Sequence, residues 1–353
     1  MRKALAVGLA GPQLRADEAA FLAAERPAGL ILFSRNCVSP DQVRALIVAC
    51  CAAIGSDETL VMIDQEGGRV QRLKPPVWRQ QPAAAAYGDL LEKAPDTALR
   101  LAGLIARLAA DELAGLGVNM NCAPVLDVPV AGSHGVIGDR AYAMAPDAVA
   151  RLGRAVMAGY AAGGIAPVIK HIPGHGRAGA DSHLELPRVN ATRSMLEASD
   201  FLPFRRLADA PAAMTAHVVY DALDPERAAS ISPAVIGGLI RGDLGFDGLL
   251  MSDDIGMQAL SGSLAARARG VIDAGCDLAL QCSGRLAEMR EAAAAVPELS
   301  ETGAARVARC LAIRRAATAF DRDEAEQALA EMQAAAAGPA GHVPSASSPV
   351  ESV

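Results

Sequence analysis

At 353 residues, 52% apolar and 21% charged, the chain can bury a large core as one big domain or two ordinary ones. A formal charge of −7 excludes the basic footprint that nucleic acid or an anionic membrane surface requires, and points to a small or neutral partner. The seven cysteines are odd in number, with no CxxC pair and no zinc spacing, which indicates reduced thiols in a cytoplasmic protein.

The chain opens on Met1-Arg2-Lys3 and an apolar run, a faint imitation of a signal peptide. Gly8, Gly11 and Pro12 interrupt that run and charge follows by Arg15, so a first buried strand explains it better. No apolar stretch reaches the ~18 residues of a membrane span. Eight short apolar runs then recur along the chain: Ala4–Leu9, Gly29–Ser34, Thr59–Asp64, Val118–Leu126, Ile165–Lys170, Ala212–His217, Gly248–Ser252 and Cys276–Cys282. Each is nearly continuous in apolar character, as a strand buried on both faces requires.

Helical stretches lie between them: Asp41–Ala53, Asp96–Leu116, Pro146–Ala162, Thr192–Ala208, Ser232–Asp243, Ser263–Ala274 and Arg285–Ala295. Several open on a Ser, Thr or Asp suited to cap a helix and several close on Gly. Eight strands alternating with helices predict an α/β fold, a single-domain (β/α)8 TIM-type barrel; an open doubly wound sheet shares the pattern. The reading assigns residues 1–322 to the barrel, with a helix near Glu301–Phe320. It assigns 323–337, acidic and Ala-rich, to a terminal helix, and the Pro/Ser/Gly-rich 338–353 to a disordered tail.

In a barrel the active site lies at the C-terminal strand ends. The third strand runs into Asp64-Gln65-Glu66-Gly67-Gly68-Arg69-Val70-Gln71-Arg72, and the fourth ends in Asn121-Cys122-Ala123-Pro124-Val125-Leu126-Asp127. The fifth leads into Lys170-His171-Ile172-Pro173-Gly174-His175-Gly176, with Asp181-Ser182-His183 beyond it. The sixth ends at His217 and the seventh in Met251-Ser252-Asp253-Asp254. Four of the six histidines fall in this set. Asp253 and Asp254 are neighbouring carboxylates at one strand end, and alternation along a strand lets only one of them face the barrel mouth.

These motifs resemble glycoside hydrolase family 3, in its single-domain bacterial branch of β-N-acetylglucosaminidases of peptidoglycan recycling. The most specific is KHIPGHGRAGADSH at Lys170–His183, supported by ILFSRN from Ile31, DQEGGRVQRL from Asp64, IGDRAY from Ile137 and MSDD from Met251. The resemblance ends near Cys282, and it implies a member without the additional C-terminal domain of longer ones. It implies a retaining, exo-acting enzyme with Asp253 as nucleophile, His183 as acid–base and Asp181 as the partner of that imidazole. It implies that Asp64, Arg72, Arg140, Lys170 and His171 bind the sugar. The implied substrate is a terminal non-reducing β-linked N-acetylglucosamine on a cytosolic muropeptide fragment, with no cofactor, no metal and a monomeric chain.

Within the family, a β-glucosidase or a phosphate-dependent β-N-acetylglucosaminide phosphorylase fits the same motifs. From another class, a metal-dependent barrel hydrolase would use His171, His175, His183, His217 and Asp253 as ligands. A binding module without catalysis would be expected to lack one of Asp253, Asp181 and His183, and all three are present.

Overall fold

The computed structural model describes residues 2–132, 135–179 and 185–337. Its centre is a closed barrel of eight parallel strands, as the recurring apolar runs predict. In chain order the strands are Lys3–Gly8, Pro27–Leu32, Leu60–Ile63, Met120–Asn121, Ala166–Ile172, Ala212–Thr215, Leu249–Asp254 and Leu278–Gln281. Each pairs with its sequence neighbours, and the eighth closes onto the first through Leu5↔Ala279 and Ala6↔Leu280.

Alternation along the strands produces two cores. Ala6, Ile31, Met62, Met120, Val168, Met214, Met251 and Leu280 fill the barrel interior. Their neighbours Leu5, Val7, Leu30, Leu32, Val61, Ile63, Ile169 and Leu250 face the helices. A residue's parity therefore decides its face. Asp64 follows Met62 by two and Lys170 follows Val168 by two, which brings both into the mouth.

Two elements depart from expectation. The fourth strand pairs only over Met120–Asn121 rather than Val118–Leu126, because Pro124 has no N–H for the ladder. Pairing resumes beyond it, where Val125 bridges Lys170 and the Leu126 N–H donates to the Lys170 carbonyl at 2.6 Å. The stretch expected as one helix over Thr192–Ala208 is two, Arg193–Ala198 and Phe201–Arg206. Pro203 supplies the break, since its ring clashes with a helical carbonyl four residues earlier, at Ser199.

Two helices absent from the sequence reading are Ala16–Glu25 and Ala84–Lys93. The second rests directly on the fourth-strand loop: a Cβ on Gly88 would lie 1.7 Å from the Tyr142 carbonyl oxygen, so only Gly allows the approach. The helix Arg322–Ala337 packs Ala325, Ala328, Leu329 and Met332 inward. Arg322 pairs with Asp111, Glu326 with Arg79 and Glu331 with Arg100, which ties this helix to the Pro95–Leu116 helix and to the loop before Ala84. Among the described residues no helix is long and apolar enough to cross a membrane.

Candidate active site

Beyond the third strand the chain folds into a short antiparallel hairpin, Gln65–Gly67 against Val70–Gln71. Gly67 and Gly68 make its turn at φ of 96° and 56°, where side chains are disfavoured. Gln65 anchors it. Its N–H donates to the Asn121 side-chain oxygen and its carbonyl accepts from the Asn121 amide, both at 2.9 Å. The Gln65 side-chain oxygen accepts the N–H groups of Arg72 and Leu73, each at 3.0 Å. Those bonds fold Arg72 back over Asp64.

The result is a chain of alternating charges across the mouth. Arg72 Nη2 lies 3.0 Å from Asp64 Oδ2, and Lys170 Nζ lies 2.7 Å from Asp64 Oδ1. The same ammonium lies 2.6 Å from Glu66 Oε1. Arg140 then grips Glu66 with Nε and Nη2, both at 2.8 Å, in the two-point geometry that suits a guanidinium. Arg72 also stacks on the Phe33 ring, 4.8 Å from its centroid.

Burial and pairing oppose each other at Asp64, Glu66 and Lys170. Burial pushes the Asp64 carboxyl up, but Lys170 and then Arg72 outweigh it and hold it well below the usual carboxylate range. Burial likewise pushes Glu66 up, and Arg140 and Lys170 bring it down to about 2. Burial pushes Lys170 down, whereas Asp64 and Glu66 hold it above its ordinary value. These three groups are thus charged at neutral pH.

Asp253 and Asp254 close the seventh strand. A register shift between Met251 and Asp254 marks a bulge, so simple alternation does not sort the pair as the sequence suggests. Bonding sorts them instead. Asp254 Oδ1 accepts the N–H groups of Gly256 at 2.9 Å and Cys282 at 3.1 Å, which commits it to the strand-end turn. Burial pushes Asp254 up to about 6, with the charge of Asp253 adding to the effect. Asp253 Oδ1 accepts the Asp254 N–H at 2.8 Å. The buried Cys122 thiol is pushed up by burial and by the charges of Asp64, Glu66 and Asp253, with Lys170 opposing them.

His217 holds the strand end from beneath. Nε2 is 3.0 Å from the Asp254 carbonyl oxygen, which can only accept, so that nitrogen carries the proton. Nδ1 is 2.6 Å from Ser230 Oγ and accepts a hydrogen bond from its hydroxyl in the neutral ring, a form that burial favours. Among the described residues no three His, Cys, Asp or Glu side chains are arranged to hold a metal ion.

Lys170 and His171 are joined by a cis peptide. His171 Nδ1 lies 2.6 Å from Asp127 Oδ2, and the Asp127 carboxylate also accepts the backbone N–H groups of His171 and His175. Burial pushes Asp127 up, but His171 and the His175 N–H outweigh it and bring it to about 2.

Of the residues singled out from sequence, Asp64, Arg72, Arg140 and Lys170 meet in one network. His171 and Asp253 lie at the same mouth, on the ends of the fifth and seventh strands with the sixth between them. Asp181 and His183 lie outside the described residues. Sequence reasoning passed over Glu66 and Asp127. Glu66 carried a signal, since it stands two residues beyond Asp64 and shares its parity. Asp127 carried only its place at a strand end.

Residues 3–313 match the model of the glycosyl hydrolase family 3 N-terminal domain. The chain belongs to glycoside hydrolase family 3. The beta-hexosaminidase of Alkalilimnicola ehrlichii is 45% identical over 283 residues, which cover 79% of this chain and 80% of that protein. The beta-hexosaminidase of Methylococcus capsulatus is 42% identical, covering 78% and 81%. Among solved structures, NagZ from Neisseria gonorrhoeae in complex with N-trifluoroacetyl-D-glucosamine superposes with a TM-score of 0.84 at 32% identity. That superposition covers 94% of this chain and 98% of NagZ.

The charge chain has a consequence for stability. A carboxyl held below its ordinary value stabilises the fold above that value, and the contribution is lost as pH falls through the folded one. For Glu66 the window runs from 4.5 down to about 2. Glu66→Gln breaks a buried pairing at about 3–5 kcal/mol. Urea unfolding at neutral pH is expected to show that loss, with a shallower pH dependence across the window than in the wild type. An unchanged pH dependence would mean that Glu66 is not held ionised by Arg140 and Lys170.

Proposed function

We propose that this family 3 barrel is an exo-acting retaining β-N-acetylglucosaminidase, with Asp253 as nucleophile and His183 as acid–base catalyst. The observation that carries the reading is the Arg72–Asp64–Lys170–Glu66–Arg140 chain at the same barrel mouth as Asp253. It is supported by the N-acetylglucosamine-like ligand of the gonococcal NagZ complex. The catalytic unit is residues 1–322, acting as a monomer in the cytoplasm on muropeptide fragments.

The Asp253 carboxylate attacks the anomeric carbon while His183 gives its proton to the departing oxygen, leaving a glycosyl ester on Asp253. Water then attacks the same carbon, His183 takes its proton, and the Asp253 carboxylate is released. Asp181 stabilises the charged imidazole. Asp64, Arg72, Arg140, Lys170 and His171 hold the non-reducing sugar through its hydroxyls and acetamido group.

Aryl glycosides test the substrate class directly. The β-N-acetylglucosaminide is expected to turn over with a much higher kcat/KM than the β-glucoside, because a site built for the acetamido group is left with unpaired polar groups without it. The product in phosphate buffer is expected to be free sugar. Equal rates on the two glycosides would assign a β-glucosidase, and a sugar phosphate would assign a phosphorylase.

His183→Ala is expected to lose about 10²–10⁴-fold on a disaccharide, whose leaving oxygen needs a proton. With an activated aryl leaving group the first step is expected to suffer far less and the covalent intermediate to accumulate as a burst. Equal losses on both substrates would contradict acid catalysis by His183.

A further inference from the structure

Asp127 has no exposed surface, whereas the His171 side chain beside it keeps 7% of its own open to the mouth. Asp127 therefore cannot touch a substrate, and whatever it does for the reaction it does through a neighbour. Its bonds show which one. Oδ1 takes the backbone N–H of His171 at 3.2 Å and of His175 at 2.6 Å, while Oδ2 faces His171 Nδ1 at 2.6 Å. An ionised carboxylate only accepts hydrogen bonds, so the facing ring nitrogen must carry a proton. The His171 and His175 rings meet edge to face, 5.8 Å between centroids, which blocks a free rotation of the His171 ring in that direction.

We infer that Asp127 is a positioning residue for sugar binding, which fixes the His171 proton on Nδ1 and leaves Nε2 to accept from a hydroxyl of the non-reducing sugar. This rests on the assignment of His171 to the sugar site made above. The logic is that of a second layer behind a binding histidine: the buried carboxylate sets both the tautomer and the angle of the ring. The same carboxylate ties the chain at His171 to the chain at His175, so ring and backbone are set by one group.

Asp127→Asn separates these duties. The Asn oxygen still accepts the two backbone N–H groups, but its amide now donates toward His171 Nδ1. That nitrogen becomes an acceptor, the proton moves to Nε2, and the group offered to the sugar changes from acceptor to donor. KM for a β-N-acetylglucosaminide is expected to rise roughly tenfold, the worth of about one hydrogen bond, with kcat changed far less. His171→Ala is expected to raise KM as well, and the double variant is expected to be no worse than His171→Ala alone, because Asn keeps the two backbone bonds and only the ring contact is lost. Nitrogen-15 NMR of the wild type at about pH 8 is expected to show His171 protonated on Nδ1, and of Asp127→Asn on Nε2.

Several outcomes would overturn the proposal. One is a wild-type His171 protonated on Nε2, a result that stands even if Asp127→Asn fails to fold. Another is additive KM effects in the double variant, which would make Asp127 merely structural. A normal KM for His171→Ala would instead remove His171 from the sugar site, and the reading on which the proposal rests would fail first.

Discussion

The ammonium of Lys170, set between Asp64 and Glu66 with 3% of its side chain exposed, is the contact on which the rest of the mouth depends. Without it two carboxylates would stand close together out of water, and one would take up a proton. Either Arg72 or Arg140 would then lose the charge that it holds at its end of the chain. With it, three cations and two carboxylates alternate, and Asp253 stands at the same mouth as a third carboxylate. Six buried or half-buried charges sum to zero, which is how such a set persists with little access to bulk water. On the proposed reading this balance shifts usefully in the reaction. Asp253 loses its charge when the ester forms, while positive character develops at the anomeric carbon beside it.

The scaffold serves that network in a simple way. Inward parity on the third and fifth strands delivers Asp64 and Lys170, and the Gln65–Asn121 exchange of hydrogen bonds clamps the hairpin that returns Arg72. Arg140 arrives from further away, on the loop propped by the Ala84–Lys93 helix at Gly88. The Arg322–Ala337 helix reaches the same region through the Arg79–Glu326 ion pair. Residues gathered from distant parts of the chain thus depend on close backbone approaches that only particular glycines permit.

Much of this was legible in the sequence because it is local. Eight apolar runs imply a buried parallel sheet, and the polar residues at their ends imply the mouth. The motif around Lys170 singled out the central cation. What escaped was non-local or exceptional. Glu66 is read easily as a loop acid until Arg140, 74 residues away, is seen to grip it with two nitrogens. Asp127 gains its meaning only from a histidine on the next strand. The bulge in the seventh strand defeats the two-residue period at Asp253 and Asp254, where hydrogen bonds rather than alternation tell the two apart. Pro124 and Pro203 were visible as residues, but the strand and helix patterns around them were strong enough to hide their effect.

The measurement that tests the account most directly is a covalent trap of the nucleophile. A 5-fluoro N-acetylglucosaminide with an activated leaving group slows release of the sugar relative to its attachment. Intact-mass spectrometry is expected to show one added sugar mass, and peptide mapping to place it on Asp253, at the edge of the charge chain. Attachment to Asp254, or a first-formed sugar product of inverted anomeric configuration, would contradict the account at its centre.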